Sequence, residues 1–129
     1  MLKSIKAAQS FIYLEFFIIS PGQMWDEVLS ILKQKVSEGV IVKIIFDDFG
    51  SSKLPYKYTK TLKSFGIDAY NFNPMKPHLN FQMNYRDHRK LVIIDNKIAY
   101  TGGINIADEY IDLIKPFNDW QDAGIKLEG

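Results

Sequence analysis

The 129-residue sequence contains no cysteine, and this absence excludes disulfides, thiolate metal sites and cysteine nucleophiles. No apolar stretch approaches the ~20 residues that a helix needs to cross a bilayer. The longest, residues 11–19, is interrupted by Glu15. The formal net charge is only +1, which gives no global attraction toward nucleic acid or anionic lipid. Any anion-binding site must therefore be local.

The apolar content is sufficient for an ordinary packed core, at 47% hydrophobic and 14% aromatic residues. The length fits a single domain, and we predict one domain over residues 1–129. The first nine residues predict a short amphipathic helix. A strand-like stretch at residues 123–127, close to the last residue, favours a domain that belongs to a longer protein.

Strand-like and helix-like segments alternate along the first half of the chain. Residues 11–19, 40–46 and 67–72 are rich in β-branched and aromatic residues and predict buried strands. Residues 24–38 and 56–65 predict helices, and a glycine directly follows each of them. This βαβαβ order predicts an α/β fold with parallel strands flanked by helices.

A β-hairpin is predicted in the second half. Residues 90–94 and 98–101 are strand-like and flank Asp95-Asn96, two residue types that tolerate positive φ. The fold class predicted is therefore α/β, with a mixed, mostly parallel sheet and a hairpin toward its C-terminal end.

Both arginines of the chain, Arg86 and Arg89, lie within two residues of His88. Arginine is the better bidentate partner for phosphate oxygens than lysine, because its guanidinium is planar. The clustering indicates an anion site, with an exposed charged loop as the plainer alternative.

The predicted hairpin brings further residues to His88. Lys90 is two positions away and faces the same side of a strand. If the two-residue turn begins at Asp95, His88 pairs with Gly103; if it begins one residue later, His88 pairs with Asn105. Either register brings the same three residues near the histidine: Gly102, Gly103 and Asn105. The glycines would let a phosphate approach the backbone, and the Asn105 amide could donate to a phosphoryl oxygen.

Asp95 is predicted to be a structural residue of the turn. Seven residues at ~3.3 Å each place it roughly 23 Å from His88 along a straight strand. That distance is too long for a third catalytic group.

One motif resembles that of a known family. The pattern HxKxxxxD over residues 88–95, followed by GGxN over residues 102–105, resembles the HKD motif of the phospholipase D superfamily. The wider segment 84–105 looks like the first such motif of bacterial cardiolipin synthases. Further segments resemble the family in the same order: LEFF at 14–17, FDDFGS at 46–51 and WQD at 120–122. The resemblance covers nearly the whole chain and implies a phospholipase-D-like half-domain.

The resemblance implies a phosphatidyltransferase that uses no metal or cofactor. One histidine attacks phosphorus to form a phosphohistidine, a second motif's histidine protonates the leaving alcohol, and an acceptor alcohol then releases the phosphoryl group. Neutral imidazole is nucleophilic near pH 7, and Lys90 and Asn105 would stabilise charge on the equatorial oxygens. In cardiolipin synthases, phosphatidylglycerol is both donor and acceptor.

Carboxylates complete the predicted site. A nucleophilic histidine needs its other ring nitrogen held, and Asp122 is the candidate, with an ordinary strand-start role as the alternative. This family usually has arginine or histidine at the position where this chain has Gln121. Glu15 lies in an apolar strand, where an unpaired charge is costly, so it either lines the phosphate pocket or forms a structural ion pair. At least one of Asp47 and Asp48, which follow a strand, is expected to be solvated. The predicted catalytic set is His88, Lys90, Asn105 and Asp122, and the predicted substrate-binding set is Gly102, Gly103, Arg86 and Glu15.

The family's active site uses two HKD motifs, and this sequence holds one. His78 cannot supply the second, because Asn80 stands where the motif requires lysine. The second half comes from a continuation of the same chain or from a homodimer mate, and the likeness to two-motif synthases favours the former. The expected full-length protein resides in the bacterial inner membrane through segments outside this sequence, and the chain itself is expected to be soluble. A homodimeric phosphodiesterase or nuclease is the alternative, although the near-neutral charge disfavours nucleic acid.

Overall fold

A computed structural model describes residues 1–75, 85–113 and 121–129 of the chain. The helices are α1 (Leu2–Ala7), α2 (Gln23–Ser37) and α3 (Tyr58–Ser64), with a short 3₁₀ helix at Asp108–Ile111. The strands are β1 (Phe11–Phe16), β2 (Ile41–Asp47), β3 (Asp68–Phe72), β4 (Leu91–Ile94), β5 (Ile98–Gly102) and β6 (Gly124–Glu128). Within these described ranges, none of the helices is both long enough and apolar enough to span a bilayer.

The six strands form one sheet in the order β3-β2-β1-β4-β5-β6. The pairs β1–β2 and β2–β3 are parallel, whereas β1–β4, β4–β5 and β5–β6 are antiparallel. Four described strands, β1, β2, β3 and β5, therefore run in one direction. The predicted α/β class and mixed sheet are confirmed.

The core lies on one face of this sheet. Alternate residues of the central strands point into it, among them Ile12, Leu14, Val42 and Ile44, and the buried side chains of all three helices join the same cluster. In α2 the buried residues are Trp25, Val28, Ile31, Leu32 and Lys35, which form one stripe of the helix. Burial of this stripe against the sheet is what holds α2 in place.

The first strand is shorter than predicted. β1 ends at Phe16, and the chain then bends at Phe17. Further along, Ile19 forms an isolated parallel bridge with Ile106, beyond the end of β5. The bend at Phe17 therefore lies between the end of β1 and this bridge.

The hairpin lies where it was predicted, but its register differs. Ile94 pairs with Ile98, which leaves a three-residue loop, so both predicted two-residue turns were wrong by one position. Asp95 and Asn96 adopt left-handed φ values of 54° and 57°, and the Lys97 N–H donates to the Ile94 carbonyl at 2.9 Å. Two successive left-handed residues before Lys97 make the longer loop possible.

Asp95 connects the hairpin loop to the start of β1. Its carboxylate accepts hydrogen bonds from the backbone N–H groups of Gln9, Ser10 and Phe11, at 2.7, 2.8 and 2.8 Å. Partial burial would raise the pKa of Asp95, but these three donors outweigh it and lower the pKa below its ordinary value. The motif's aspartate thus fixes the start of β1 beside the end of β4.

We expect the substitution D95A to lower the free energy of unfolding by about 2 kcal/mol, because three backbone donors lose a charged acceptor. Urea denaturation measures this. The loss should shrink as the pH falls through the lowered pKa, because protonation removes the same stabilisation from the native chain. The control E128Q alters an exposed carboxylate paired with Lys126 and should change stability by less than about 0.5 kcal/mol. Equal stability of D95A and the native chain would contradict the structural role.

Candidate active site

His88 and Lys90 directly precede β4, at the end of the sheet where β1 and β2 terminate. The His88 imidazole is exposed and stacks on the Phe17 ring, with centroids 4.1 Å apart and planes 18° apart. The Lys90 Nζ donates to the His88 carbonyl at 2.6 Å and lies 5.6 Å from the centroid of the same Phe17 ring. The two motif residues therefore share one aromatic platform.

Lys90 is half-buried, in contrast to His88. Burial lowers the pKa of the Lys90 ammonium, although the negative charges of Asp122 and Asp87 oppose this effect. A partly desolvated cation interacts more strongly with a phosphoryl oxygen than a fully hydrated one. Lys90 is thus placed to stabilise negative charge beside the histidine.

Gly102 and Gly103 lie against the chain segment that leads into β6. A Cβ atom on Gly103 would collide with the Asp122 carboxylate, and one on Gly102 would collide with the carbonyl of Ala123. Gly124, in the same returning segment, also lies against Gly102. The missing side chains therefore admit residues 122–124, at and just before the start of β6, and the predicted approach of a phosphate to these glycines stays a prediction.

Asp122 approaches Lys90 and Gly103 in the described part of the chain. Its Oδ1 accepts a hydrogen bond from the Ala123 N–H at 2.7 Å. Among the described residues, no hydrogen bond joins Asp122 to the His88 imidazole. The orienting role of Asp122 stays a prediction, and the contact that the structure provides is electrostatic, to Lys90.

Asn105 is buried, with only 3% of its surface exposed. Its Oδ1 accepts from the Ile18 N–H and its Nδ2 donates to the Tyr110 hydroxyl, both at 2.9 Å. These bonds fasten the segment after β5 to the segment after β1. Asn105 therefore has a structural role that the sequence did not predict, with one amide hydrogen left beyond these two bonds for the predicted phosphoryl contact.

The two arginines have different environments. The Arg86 side chain is 10% exposed; its Nη1 lies 3.4 Å from an Asp47 carboxylate oxygen and its guanidinium lies 5.1 Å from the Phe49 ring centroid. The Arg89 side chain is 70% exposed. Arg89 is therefore the more accessible of the two guanidinium groups, and the substrate-binding role expected of Arg86 stays a prediction.

Arg89 is held by two carboxylates. Its Nη2 lies 2.7 Å from Glu15 Oε1, and its Nε donates to Asp87 Oδ1 at 3.0 Å. Glu15 therefore contacts a basic residue, and its two expected roles, lining the phosphate pocket or forming a structural ion pair, stay predictions. No role was predicted for Asp87. Its contact with Glu15 depends on the fold, because the two residues are far apart in sequence.

The carboxyl groups of Glu15 and Asp87 lie close enough to shift each other's pKa. Burial raises the pKa of Glu15, the neighbouring Asp87 carboxylate raises it further, and Arg89 opposes both, giving about 7. Burial also disfavours ionisation of Asp87, but hydrogen bonds from Arg89 and Glu15 prevail and lower its pKa to about 2. Two carboxyl groups in contact cannot both ionise easily, so Glu15 takes up a proton at a higher pH than Asp87 does.

An apolar cavity of about 280 Å³ opens beside Lys90 and Asn105. Its walls are predominantly apolar and include Phe16, Val92, Tyr100, Ile104 and Ile125. Polar groups thus stand at one side of an apolar space, an arrangement that suits an amphipathic ligand. His78 and Trp120, which figured in the sequence analysis, lie outside the described residues.

The family model described as "Cardiolipin synthase, PLD-like domain" matches residues 1–115. The chain belongs to this family. A cardiolipin synthase from Oceanobacillus iheyensis is 38% identical over the whole chain, and cardiolipin synthase 2 from Staphylococcus epidermidis is 39% identical. An uncharacterised protein from Streptococcus mutans is 50% identical. The chain spans 27% of the length of both synthases and 28% of the Streptococcus protein.

Solved structures support the same fold. Nuc, a phospholipase D family member from Salmonella typhimurium, is similar over 84% of this chain and 63% of its own, with a TM-score of 0.60 and 21% identity. NucT from Helicobacter pylori is similar over 88% of this chain and 69% of its own, with a TM-score of 0.63 and 18% identity. The phospholipase-D-like fold of the cardiolipin-synthase domain is therefore shown by sequence and structure together.

We expect the substitution E15Q to make the stability of the domain less dependent on pH. Because folding raises the pKa of Glu15 from 4.5 to about 7, its contribution is fully present below pH 4.5 and is lost as the pH rises to about 7. The glutamine amide keeps a donor toward Asp87 but cannot ionise. The stability of E15Q relative to the native chain should rise by about 1 kcal/mol between pH 4.5 and pH 8, a figure reduced for partial exposure. Urea titrations at several pH values measure it, and a constant difference would contradict the raised pKa of Glu15.

Proposed function

We propose that this chain forms one half of a phosphatidyltransferase active site that makes cardiolipin and glycerol from two phosphatidylglycerol molecules. The observation that carries the proposal is the convergence of His88 and Lys90 on one platform, in a chain of the cardiolipin-synthase domain family. The second HKD half would come from the remainder of a longer protein or from a homodimer mate. Attachment to the bacterial inner membrane would come from segments outside these 129 residues.

The proposed reaction is a double displacement at phosphorus. In the first step, a nitrogen of one histidine bonds to phosphorus while the bond from phosphorus to the oxygen of the headgroup glycerol breaks. The histidine of the other motif protonates that oxygen, and glycerol leaves. In the second step, the hydroxyl of the acceptor phosphatidylglycerol gives its proton back to that histidine and attacks phosphorus, while the N–P bond breaks. His88 would fill one of these two roles, and its exposure leaves it accessible to the phosphodiester.

Lys90 would stabilise the charge that develops on the phosphoryl oxygens, since its ammonium is partly desolvated beside His88. The remaining amide hydrogen of Asn105 would add a second donor from the side of β5. Asp122 would act on Lys90 or, after a change of rotamer, on the imidazole. Arg89, exposed and held by Glu15 and Asp87, would meet the anionic headgroup.

The environment of the site is consistent with a lipid substrate. The cavity beside Lys90 is predominantly apolar, which favours the aliphatic part of an amphipathic molecule over a uniformly charged polymer. The net charge of +1 points the same way, since nucleic-acid-binding domains commonly carry a basic face.

We predict that H88A abolishes cardiolipin formation, with a loss of at least about a thousandfold. The substitution removes either the nucleophile that bonds to phosphorus or the acid that protonates the leaving oxygen. The complete reading frame that contains these residues is assayed in vesicles of phosphatidylglycerol, with product measured by mass spectrometry. H78A is the matched control: it alters the other histidine, which lacks the motif, and should retain activity. Cardiolipin formation by H88A at the rate of H78A would refute the proposed function.

A further inference from the structure

We propose that Phe17 is the positioning residue of His88, and that Gly50 and Asp47 hold the Phe17 ring in place. The geometry of the stack supports this inference by itself. Its consequence for reaction rate rests on the proposed function.

The stack is the contact that constrains the imidazole. Within residues 1–75, 85–113 and 121–129, the His88 backbone carbonyl accepts a hydrogen bond from Lys90 Nζ, and neither nitrogen of the imidazole ring has a hydrogen-bond partner. The nearly parallel Phe17 ring, 4.1 Å away between centroids, covers one face of the imidazole. An exposed histidine has broad freedom about χ2, and a ring against its face restricts that freedom.

Phe17 is itself fixed by the loop that follows β2. A Cβ atom on Gly50 would collide with the Phe17 carbonyl oxygen and would fall 2.9 Å from Cε2 and 3.0 Å from Cδ2 of the ring, so the absence of a side chain at Gly50 leaves room for both the backbone and the ring of Phe17. The Ser51 hydroxyl donates to the Phe17 carbonyl at 3.3 Å and accepts from the Ile19 N–H at 3.0 Å. These contacts restrain both the ring and the backbone of Phe17.

One buried carboxylate connects the two sides of the stack. Asp47 is 0% exposed and accepts from the N–H groups of Phe49 and Gly50, both at 2.9 Å. It also accepts a longer bond, 3.4 Å, from the N–H of Asp87, the residue before His88. Asp47 therefore anchors the loop that supports the ring and the segment that carries the histidine.

Fixing the imidazole plane has a direct chemical consequence. The lone pair of a ring nitrogen lies in that plane, so the Phe17 ring restricts the directions from which His88 can meet phosphorus. The same ring lies near the Lys90 ammonium, which sets the cation and the histidine relative to one another. Loss of the ring should cost rate rather than binding, because ground-state contacts with the lipid remain.

The first test is NMR of this chain in an H78Q background, where His88 is the remaining histidine. Ring current from Phe17 should hold the His88 carbon-bound protons upfield in the native chain and in F17Y. F17L should move them downfield toward unstructured values. F11L is the matched control, since Phe11 also stacks on an aromatic, Tyr13, at the other end of β1, and should leave the His88 signals unchanged.

The second test is steady-state kinetics of the complete protein. F17L should lower kcat about tenfold, because a stacked aromatic pair favours one orientation by about 1.4 kcal/mol, and it should change KM less than about twofold. F17Y keeps the ring and should restore kcat to within about twofold of the native value. Unchanged His88 signals in F17L, or F17Y as slow as F17L, would overturn the inference. A native protein without transferase activity would overturn the proposed function alone, since the NMR result decides the positioning geometry independently. F17W, which keeps a ring face, replaces F17Y if that variant fails to fold.

Discussion

The register between β1 and β4 is the constraint on which the site depends. It sets Ile12 opposite Ile94 and Glu15 opposite Leu91, and Asp95 secures it at the far end through three backbone donors. Arg89, two residues before Leu91, then reaches the Glu15 carboxyl group with its long side chain. A slip of one residue would reverse the faces of every side chain in β4 and separate these groups. The aspartate of the HKD motif therefore contributes to the position of His88 indirectly, by fixing β4 against β1.

The order of elements could be predicted from the sequence because the signals were local. The apolar stripe of α2, the strand-like runs and the hairpin each occupy a short stretch with its own periodicity. The register of the hairpin could not be predicted to the residue. Two-residue and three-residue loops are both compatible with Asp95-Asn96-Lys97, and the choice is made by left-handed φ values that the sequence permits but does not require.

The roles of the site residues were less predictable, because they depend on chain segments distant in sequence. Arg86 and Arg89 are three residues apart and chemically identical, yet Asp47 and Phe49 enclose the first while the second faces outward. Phe17 carried a signal, as part of the LEFF segment near a strand's carboxyl end, but its contact with His88 joins two segments about seventy residues apart in sequence. The close approach of residues 122–124 to Gly102 and Gly103 likewise joins segments that are about twenty residues apart in sequence.

The central claim is that His88 and Lys90, on the Phe17 platform, form the phosphoryl-binding half of a transferase site. The most direct measurement is a crystal structure of the complete protein with vanadate, which mimics the phosphoryl group in transfer. The account predicts vanadate in contact with an imidazole nitrogen of His88 and with Lys90 Nζ, while the imidazole remains stacked on Phe17. Vanadate bound elsewhere, with His88 and Lys90 both free of it, would contradict the account.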